Sequence, residues 1–238
     1  MSENYKHRVV SKQEIQELFG FTRKHYVAYY DLQTELVDHL ANGIEEQWKT
    51  NSYISFEDAL QVEFKKFGIF GFSDIIEQRQ KVLSKRYYKM VGKEMLTFFK
   101  VPRIILSLGS MYLIYWLLMH FSYGFEFVMG VTVLMAIIAL VLMIRNKKNR
   151  TEKKKKFLLE EIIFNYGGAF AVVHVPFNFL NIYFNRIDDN GVVVFYYALI
   201  ISITLVLLYV YGFICFFYIP KRAHKYLTQV YPEYNKFE

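Results

Sequence analysis

Four long apolar segments follow residue 100, and they constrain the fold more than any other feature of the sequence. They cover approximately residues 101–121, 125–144, 157–183 and 192–219. Each reaches the about 20 residues that an α-helix needs to cross the hydrocarbon core of a bilayer. Only helices and closed barrels satisfy their backbone groups in lipid, and these segments do not alternate as barrel strands do. The sequence therefore predicts four transmembrane helices rather than a large soluble core.

The composition agrees with a membrane part joined to a soluble part. Hydrophobic residues make up 54% of the chain, yet charged residues still make up 21%. A uniformly soluble domain rarely combines these two values. Cys215 is the single cysteine and lies in an apolar run, which excludes a disulfide framework and a thiolate metal site. The polar N-terminus lacks the apolar run of a cleavable signal peptide, so we expect insertion through the internal segments.

Basic residues concentrate in the loop between the second and third apolar segments. This loop reads "RNKKNRTEKKKK", and a second basic group, "KRAHK", follows the fourth segment. The other two loops carry only Arg186 as a basic residue. The positive-inside rule therefore predicts that the N-terminus, the basic loop and the C-terminus are cytoplasmic. Because the basic run lies between two spans, we expect it to contact anionic lipid headgroups rather than nucleic acid. The candidate contacts are Lys153, Lys154, Lys155 and Lys156.

The N-terminal region predicts a small domain of three or four helices. Ser11 and Glu14 have the spacing of a capping box, which marks the start of a helix. After a helix predicted over residues 25–48, Ser55 is placed to begin a further helix that Gly68 closes in the left-handed conformation. Ser73 is placed to begin another. These signals for the starts and ends of helices are typical of a soluble helical module.

The stretch "ELVDHLANGIEEQW", residues 35–48, places acids beside a histidine. Within a helix predicted over residues 25–48, its apolar residues occupy one sector, and its acids and histidine occupy the other. Glu35 and His39 are four residues apart and are predicted to pair across one turn. A solvated face is favoured over a metal site, which needs further ligands and a supporting shell. The acids and the histidine of this exposed face are Glu35, Asp38, His39, Glu45 and Glu46.

A basic, amphipathic connector is predicted over residues 76–100, between the N-terminal domain and the first span. Its candidate contacts with lipid headgroups are Lys85, Arg86, Lys89 and Lys93. In the alternative interpretation, its first half packs on the soluble domain and its basic side is solvated. The hypothesis is that this connector couples the state of the membrane to the cytoplasmic domain.

The third apolar segment carries the most notable polar side chains of the predicted spans. Ionisable groups inside a membrane are functional candidates by default. Packing through interhelical hydrogen bonds is favoured here over proton or substrate transport, because His174 has no acidic partner in any predicted span. The candidate intramembrane polar site consists of Asn165, His174, Asn178 and Asn181.

Catalytic motifs are missing from the sequence. It contains no G-x-S-x-G, HExxH or Walker motif, and its predicted spans contain no paired aspartates or Ser–His pair. We therefore predict a protein that is not an enzyme and that uses no metal or organic cofactor.

One stretch of the N-terminal region, "ELVDHLANGIEEQWKTNSYISFEDALQVEFKKFG", resembles the helical module called the HAAS or permease-prefix domain. The resemblance covers about residues 10–80. Two features depart from that pattern, because the glycine of the middle turn is replaced by "TNSYI" and the final Asp-Pro by "IFGFSD". The matching elements are Glu35-Leu36, His39-Leu40, Glu45-Glu46, Ser55, Ala59-Leu60 and Phe67-Gly68.

The resemblance implies a cytoplasmic interaction module on a small membrane protein. It makes the exposed face formed by Glu35, Asp38, His39, Glu45 and Glu46 the candidate partner surface. Members of that family are often encoded beside PadR-like transcription regulators, so a PadR-like regulator is a candidate protein partner. Other members precede permeases with a large extracytoplasmic domain after the first span. The loop "SYGFE" takes that place here, which disfavours an exporter permease.

The predicted architecture is all-α, with a small N-terminal cytoplasmic helical domain followed by a four-helix transmembrane bundle. The predicted segments are a HAAS-like domain at residues 1–75, the connector at residues 76–100, a four-span domain at residues 101–225 and a cytoplasmic tail at residues 226–238. We expect a bacterial inner-membrane protein that contacts lipids and a cytoplasmic protein partner and that does not bind nucleic acid directly. The sequence leaves open whether the protein forms homo-oligomers. The expected function is a signalling or regulatory scaffold. The alternative is a small transporter, or a transporter accessory subunit, that uses the polar residues of the third segment.

Overall fold

The computed structural model describes residues 8–150, 155–164, 169–185 and 191–237, and they are helical throughout with no strand among them. The all-α prediction is confirmed for this part of the chain. The first helices are α1 (Lys12–Lys24), α2 (Tyr30–Thr50), α3 (Phe56–Lys65), α4 (Ser73–Thr97), α5 (Arg103–His120) and α6 (Gly124–Arg150). They are followed by α7 (Leu158–Phe164), α8 (Ala169–Phe184), α9 (Gly191–Phe213), α10 (Ile219–Lys221) and α11 (Ala223–Thr228).

The chain divides into two compact units. The first, which we call the N-terminal unit, comprises Met1–Lys85, Lys153–Glu161 and Lys236–Glu238. The second, which we call the apolar unit, comprises Arg86–Glu152 and Ile162–Asn235. The N-terminal unit is therefore discontinuous in sequence, because a segment that follows α6 belongs to it.

The core of the N-terminal unit is built from the apolar faces of α1, α2 and α3. The sector of α2 that the helical wheel marked as apolar is buried, and Leu36, Leu40 and Ile44 are at most 2% exposed. Burying each such side chain contributes about 1.5–3 kcal/mol. The core also includes Leu18, Val27, Leu32, Val37, Trp48, Phe56, Ala59, Leu60 and Phe72. The amphipathic reading of α2 is confirmed.

The predicted helix starts are also confirmed. The Ser11 hydroxyl accepts a hydrogen bond from the Glu14 N–H at 3.2 Å, and the Ser11 N–H donates to the Glu14 carboxylate at 2.7 Å. This reciprocal pair is the capping box. The Ser55 hydroxyl accepts from the Asp58 N–H at 3.0 Å. Gly68 follows α3 with φ +74°, in the left-handed conformation expected of it.

The turn between α1 and α2 corrects the predicted helix over residues 25–48. That segment is interrupted, because α1 ends at Lys24 and α2 begins at Tyr30. Tyr26 takes a φ of +64°, the N–H of Val27 donates to the Thr22 carbonyl, and the Tyr26 N–H donates to the Arg23 carbonyl. This is the Schellman arrangement, with a tyrosine in the place where glycine is usual. The missing glycine removed the sequence signal for the break.

A short segment after the basic loop completes the N-terminal core, and we call residues 155–161 the return segment. Phe157, Leu158 and Leu159 are at most 2% exposed. The Tyr30 N–H donates to the Lys156 carbonyl at 2.7 Å, and the Leu158 N–H donates to Asp31 Oδ1 at 3.1 Å. The hydropathy pattern had assigned residues 157–159 to the third span. They belong instead to the core of the N-terminal unit.

The apolar unit holds three helices that are long and apolar enough to cross a membrane, within the described residues. They are Arg103–His120, Gly124–Asn146 and Val194–Lys221, with mean hydropathies of 1.3, 2.9 and 2.5. Large apolar side chains such as Leu106 and Ile144 are 72% and 67% exposed, which is unusual for a soluble surface. These features identify an integral membrane protein.

Helix α8, with 16 residues, is shorter than these three helices but shares their core. Leu118 of α5, Val128 of α6 and Leu180 of α8 pack with the α9 residues Ala198, Ile201 and Leu205. At the end of α9 the chain passes through a π-helical turn at Ile214–Tyr218 into α10. Four helices thus meet in one apolar core.

Candidate functional site

The polar face of α2 is the surface that the sequence marked for a partner. Glu35, Asp38, His39 and Glu46 are exposed, whereas Glu45 is half-buried. The alternation of buried and exposed positions along α2 keeps these polar side chains on one side of the helix.

Two of the predicted surface acids have partners in the N-terminal unit that lie outside α2. Glu35 Oε2 lies 2.5 Å from Arg79 Nη2 of α4, so the carboxylate pairs with Arg79 and not with His39 as predicted. Both side chains are about half exposed, and such a pair contributes about 0–1 kcal/mol. Glu45 Oε1 accepts a hydrogen bond from the Val10 N–H at 2.9 Å. Glu45 therefore fixes the described segment before α1, residues 8–11, which we call the N-terminal arm.

The N-terminal arm contacts the end of α2 through the cation–π contact of Arg8 with Trp48. The guanidinium of Arg8 lies 3.9 Å from the centre of the Trp48 ring and 2.6 Å from Glu14 Oε1. Burial acts to raise the pKa of the Glu14 carboxyl, but the hydrogen bonds from Ser11 and Arg8 outweigh it and lower the pKa. The arm thus connects the start of α1 to the end of α2, which no sequence pattern indicated.

Two described histidines of this unit, His25 and His39, pack against aromatic rings. The His39 ring lies edge-on to Phe67 with centroids 5.6 Å apart. His25 lies between Phe21 and Phe64, with centroids 4.3 Å from each. Within the described residues, no group of three or more histidine, cysteine or acidic side chains is arranged to hold a metal ion.

A groove of about 790 Å³, lined mainly by polar residues, opens between α2 and α3. We call it the α2–α3 groove. Two predicted surface residues, His39 and Glu46, line it, whereas Glu35, Asp38 and Glu45 do not. Its lining consists of His39, Asn42, Gly43, Glu46, Gln47, Thr50, Asn51, Ile54, Glu63 and Lys66. The structure therefore brings part of the predicted surface together with α3 residues that the sequence did not single out.

The groove contains a buried carboxylate. Glu63 is 3% exposed, and its Oε1 accepts hydrogen bonds from Gln47 Nε2 at 2.5 Å and from Lys66 Nζ at 2.6 Å. Gln47 Nε2 also donates to the Ala59 carbonyl at 3.1 Å. Hydrogen bonds to a charged group fix geometry and are stronger than those between neutral groups. This network holds α2 and α3 at the spacing that leaves the groove open.

Gly43 has a steric role in the same place. A Cβ at this position would lie 2.4 Å from Glu63 Oε2, closer than any ordinary contact. Glycine in a helix interior costs about 0.5–1 kcal/mol relative to alanine. The close approach of Glu63 explains why α2 carries that cost.

The predicted headgroup contacts of the connector lie on one continuous helix. Helix α4 runs through Lys85, Arg86, Lys89 and Lys93, and all four side chains are exposed. Farther along α4, Glu94 Oε1 accepts a hydrogen bond from the Tyr226 hydroxyl at 3.2 Å. Burial, followed by the charge of Glu94, raises the pKa of Tyr226 to about 12. Tyr226 therefore stays protonated as a donor at neutral pH.

The lysines of the basic loop are described only in part. Lys153 and Lys154 lie outside the described residues. Lys155 Nζ is 3.7 Å from the centre of the Tyr30 ring, and Lys156 is exposed. Both belong to the N-terminal unit.

The predicted intramembrane polar residues follow one line along α8. His174, Asn178 and Asn181 are exposed at spacings of four and three residues, and Asn165 lies outside the described residues. Asn178 Nδ2 donates to the His174 carbonyl at 2.9 Å, and Asn185 Nδ2 donates to Asn181 Oδ1 at 2.7 Å. These amides bond within their own helix.

A polar contact that the sequence analysis missed lies between α6 and α9. Thr132 is 2% exposed, and its Oγ1 lies 2.6 Å from the Tyr209 hydroxyl oxygen. A hydrogen bond between two spans contributes about 0.6–2 kcal/mol. The two residues are 77 positions apart, so no local spacing could have indicated the pair.

Comparisons with models of known families, with curated proteins and with solved structures find no match to this chain.

Proposed function

We propose that this protein is a membrane-anchored signalling or regulatory scaffold, not an enzyme, whose N-terminal unit binds a protein partner through the α2–α3 groove. In this proposal the N-terminal unit is cytoplasmic, and four helices anchor the protein in a bacterial inner membrane. A PadR-like regulator is one candidate partner, on the strength of the sequence resemblance alone. The observation that carries the proposal is the groove itself, because a fixed polar cleft lies on the face that the core of the unit leaves exposed.

The chemistry of the groove favours a peptide-like partner over a small reactive substrate. Its lining offers amide donors and acceptors from Asn42 and Gln47, a carboxylate from Glu46 and a cation from Lys66. Its volume is within the range of small-molecule sites, but it is open, and eight of its ten lining residues are polar or charged, whereas those sites are lined mainly by hydrophobic and aromatic side chains. Such a lining suits hydrogen bonds to a partner's backbone and charged side chains.

Two exposed apolar side chains add to this proposal. Tyr53, in the turn beside the groove residues Asn51 and Ile54, is 96% exposed. Tyrosine is enriched among the residues that dominate the energy of protein interfaces. Ile69 is 93% exposed in the turn that precedes α4. These side chains supply apolar contact area beside a polar groove.

Co-purification with the full-length protein tests the proposal. We expect a specific soluble protein to be retained by the tagged wild-type chain from native membranes. Asn42→Trp, which fills the groove, and Glu46→Lys, which reverses a wall charge, should each lower its retention at least tenfold. Replacement of a hot-spot residue at the centre of an interface costs about 2 kcal/mol or more, which is more than tenfold in affinity.

The matched control is Glu17→Lys on α1, which makes the same charge change at an exposed position outside the groove. This variant should retain the partner at the wild-type level. The proposal is wrong if both groove variants keep the partner, if the control loses it equally, or if the wild type retains no specific protein.

A further inference from the structure

A second pocket of the N-terminal unit is basic. It has a volume of about 520 Å³ and shares no residue with the α2–α3 groove. Residues from α1, α2 and the return segment line it, including Gln16, Phe19, Arg23, Tyr30, Lys155 and Lys156. No acidic residue is among its described lining. Three cations thus face one cavity.

The return segment fixes two of these cations. Tyr30 donates its backbone N–H to the Lys156 carbonyl at 2.7 Å, and its ring lies 3.7 Å from Lys155 Nζ. The same ring is parallel to that of Phe19, with centroids 6.2 Å apart. The buried side chain of Phe157, which follows Lys156, anchors the segment that carries both lysines. The backbone that carries the two lysines is therefore held at a defined place in the N-terminal unit, and the side chain of Lys156 is exposed.

Two of the three cations that line the pocket, Arg23 and Lys156, lack a partner carboxylate among the described residues. Grouped like charges repel, and a cavity lined by one sign of charge concentrates ions of the other sign. Arginine presents a planar fork of donors that matches phosphate oxygens, and lysine adds a point charge.

We infer that this pocket binds the phosphate group of an anionic ligand. Arg23 forms the bidentate contact, Lys155 and Lys156 supply charge, and Gln16 supplies an amide donor. The phosphate comes from a lipid headgroup or from a soluble phosphate compound, since the shared chemistry is the same. Lys155 follows Arg150, the last residue of α6, by five positions in the sequence, and α6 contains one of the helices that are long and apolar enough to cross a membrane.

Titration with inorganic pyrophosphate tests the soluble source. The full-length protein is placed in nanodiscs of zwitterionic phosphatidylcholine at 0.15 M salt, where the screening length is about 8 Å. Calorimetry should then show about one site per chain. Arg23→Gln and Lys156→Gln should each weaken binding about tenfold, as expected for the loss of a charge-assisted contact. Lys24→Gln, next to Arg23 on the exposed surface but outside the pocket, should change it less than twofold.

Lysine labelling tests the lipid source. Nanodiscs that contain phosphatidic acid should protect Lys155 and Lys156 from an amine-reactive reagent, relative to phosphatidylcholine alone, and leave Lys12 unchanged. Arg23→Gln should abolish this protection. A response in either arm that depends on Arg23 and not on Lys24 supports the site and names its source. No response in both arms, or an equal loss in the Lys24 variant, overturns it.

Discussion

At the scale of single residues, Gly43 and Glu63 determine the floor of the α2–α3 groove. Gly43→Ala places a methyl group where Glu63 Oε2 now lies. We expect the variant to lower the free energy of unfolding of the N-terminal unit by about 1–3 kcal/mol, the usual cost of overpacking. Thermal unfolding of the full-length protein in a Trp116→Phe background, which leaves Trp48 as the single tryptophan, measures the change by fluorescence.

Gly20 of α1 provides the control for Gly43. A Cβ at Gly20 meets nothing within 4 Å. Gly20→Ala should therefore stabilise the unit by about 0.5–1 kcal/mol, since alanine favours a helix interior. If both variants shift the unfolding temperature in the same direction, the close contact between Gly43 and Glu63 does not exist.

Glu14 gives the capping box a dependence on pH. Its pKa is lowered in the folded protein, so the folded state binds fewer protons than the unfolded state. The stabilisation is then present above the unfolded pKa and is lost as the pH falls through the folded pKa. Glu14→Gln should lower the unfolding temperature more at pH 7 than at pH 3. An equal loss from Glu14→Gln at both values contradicts the assignment.

At the scale of elements, the return segment is the least anticipated part of the fold. Leu159 is fully buried in the N-terminal unit, more than 90 residues along the chain from α3. Leu159→Ala should destabilise this unit by about 2–5 kcal/mol. The measurement is again the Trp48 transition. Leu106→Ala, at a position 72% exposed on α5, should leave that transition unchanged. If Leu159→Ala behaves like Leu106→Ala, residues 157–159 belong to the membrane after all.

The elements that the sequence predicted well are those with local signals. Ser11, Ser55 and Gly68 mark helix ends through contacts three or fewer residues away, and the apolar stripe of α2 follows from its period alone. Tyr26 gave no such signal, because a turn that usually needs glycine is made by tyrosine. The break between α1 and α2 was therefore missed.

The sequence predicted only the α2 wall of the candidate site. The exposed face of α2 follows from periodicity, but its opposite wall needs α3, and Glu63 reads as an ordinary helical acid in sequence. The apolar run at residues 157–159 is ambiguous in the same way. Lipid and a protein core accept the same side chains, and hydropathy does not distinguish them.

At the scale of the whole molecule, the number of spans decides on which side the ends lie. Three helices qualify by length and composition, and α8 shares their core. If α8 also crosses the membrane, as proposed, both ends face the cytoplasm. In a Cys215→Ser background, cysteines at Lys12 and Asn235 should both react with permeant reagents and resist impermeant ones in intact cells. Reaction of one but not the other with the impermeant reagent means three spans.

The central claim is that a partner occupies the α2–α3 groove. A photoreactive residue placed singly along α2 of the full-length protein, in its native membrane, tests it most directly. Adducts with one protein should form from positions 39, 42 and 46, which line the groove, and should be weak from positions 34 and 49, which are exposed but lie outside it. Equal yields from all five positions, or no discrete adduct from any, would contradict the account.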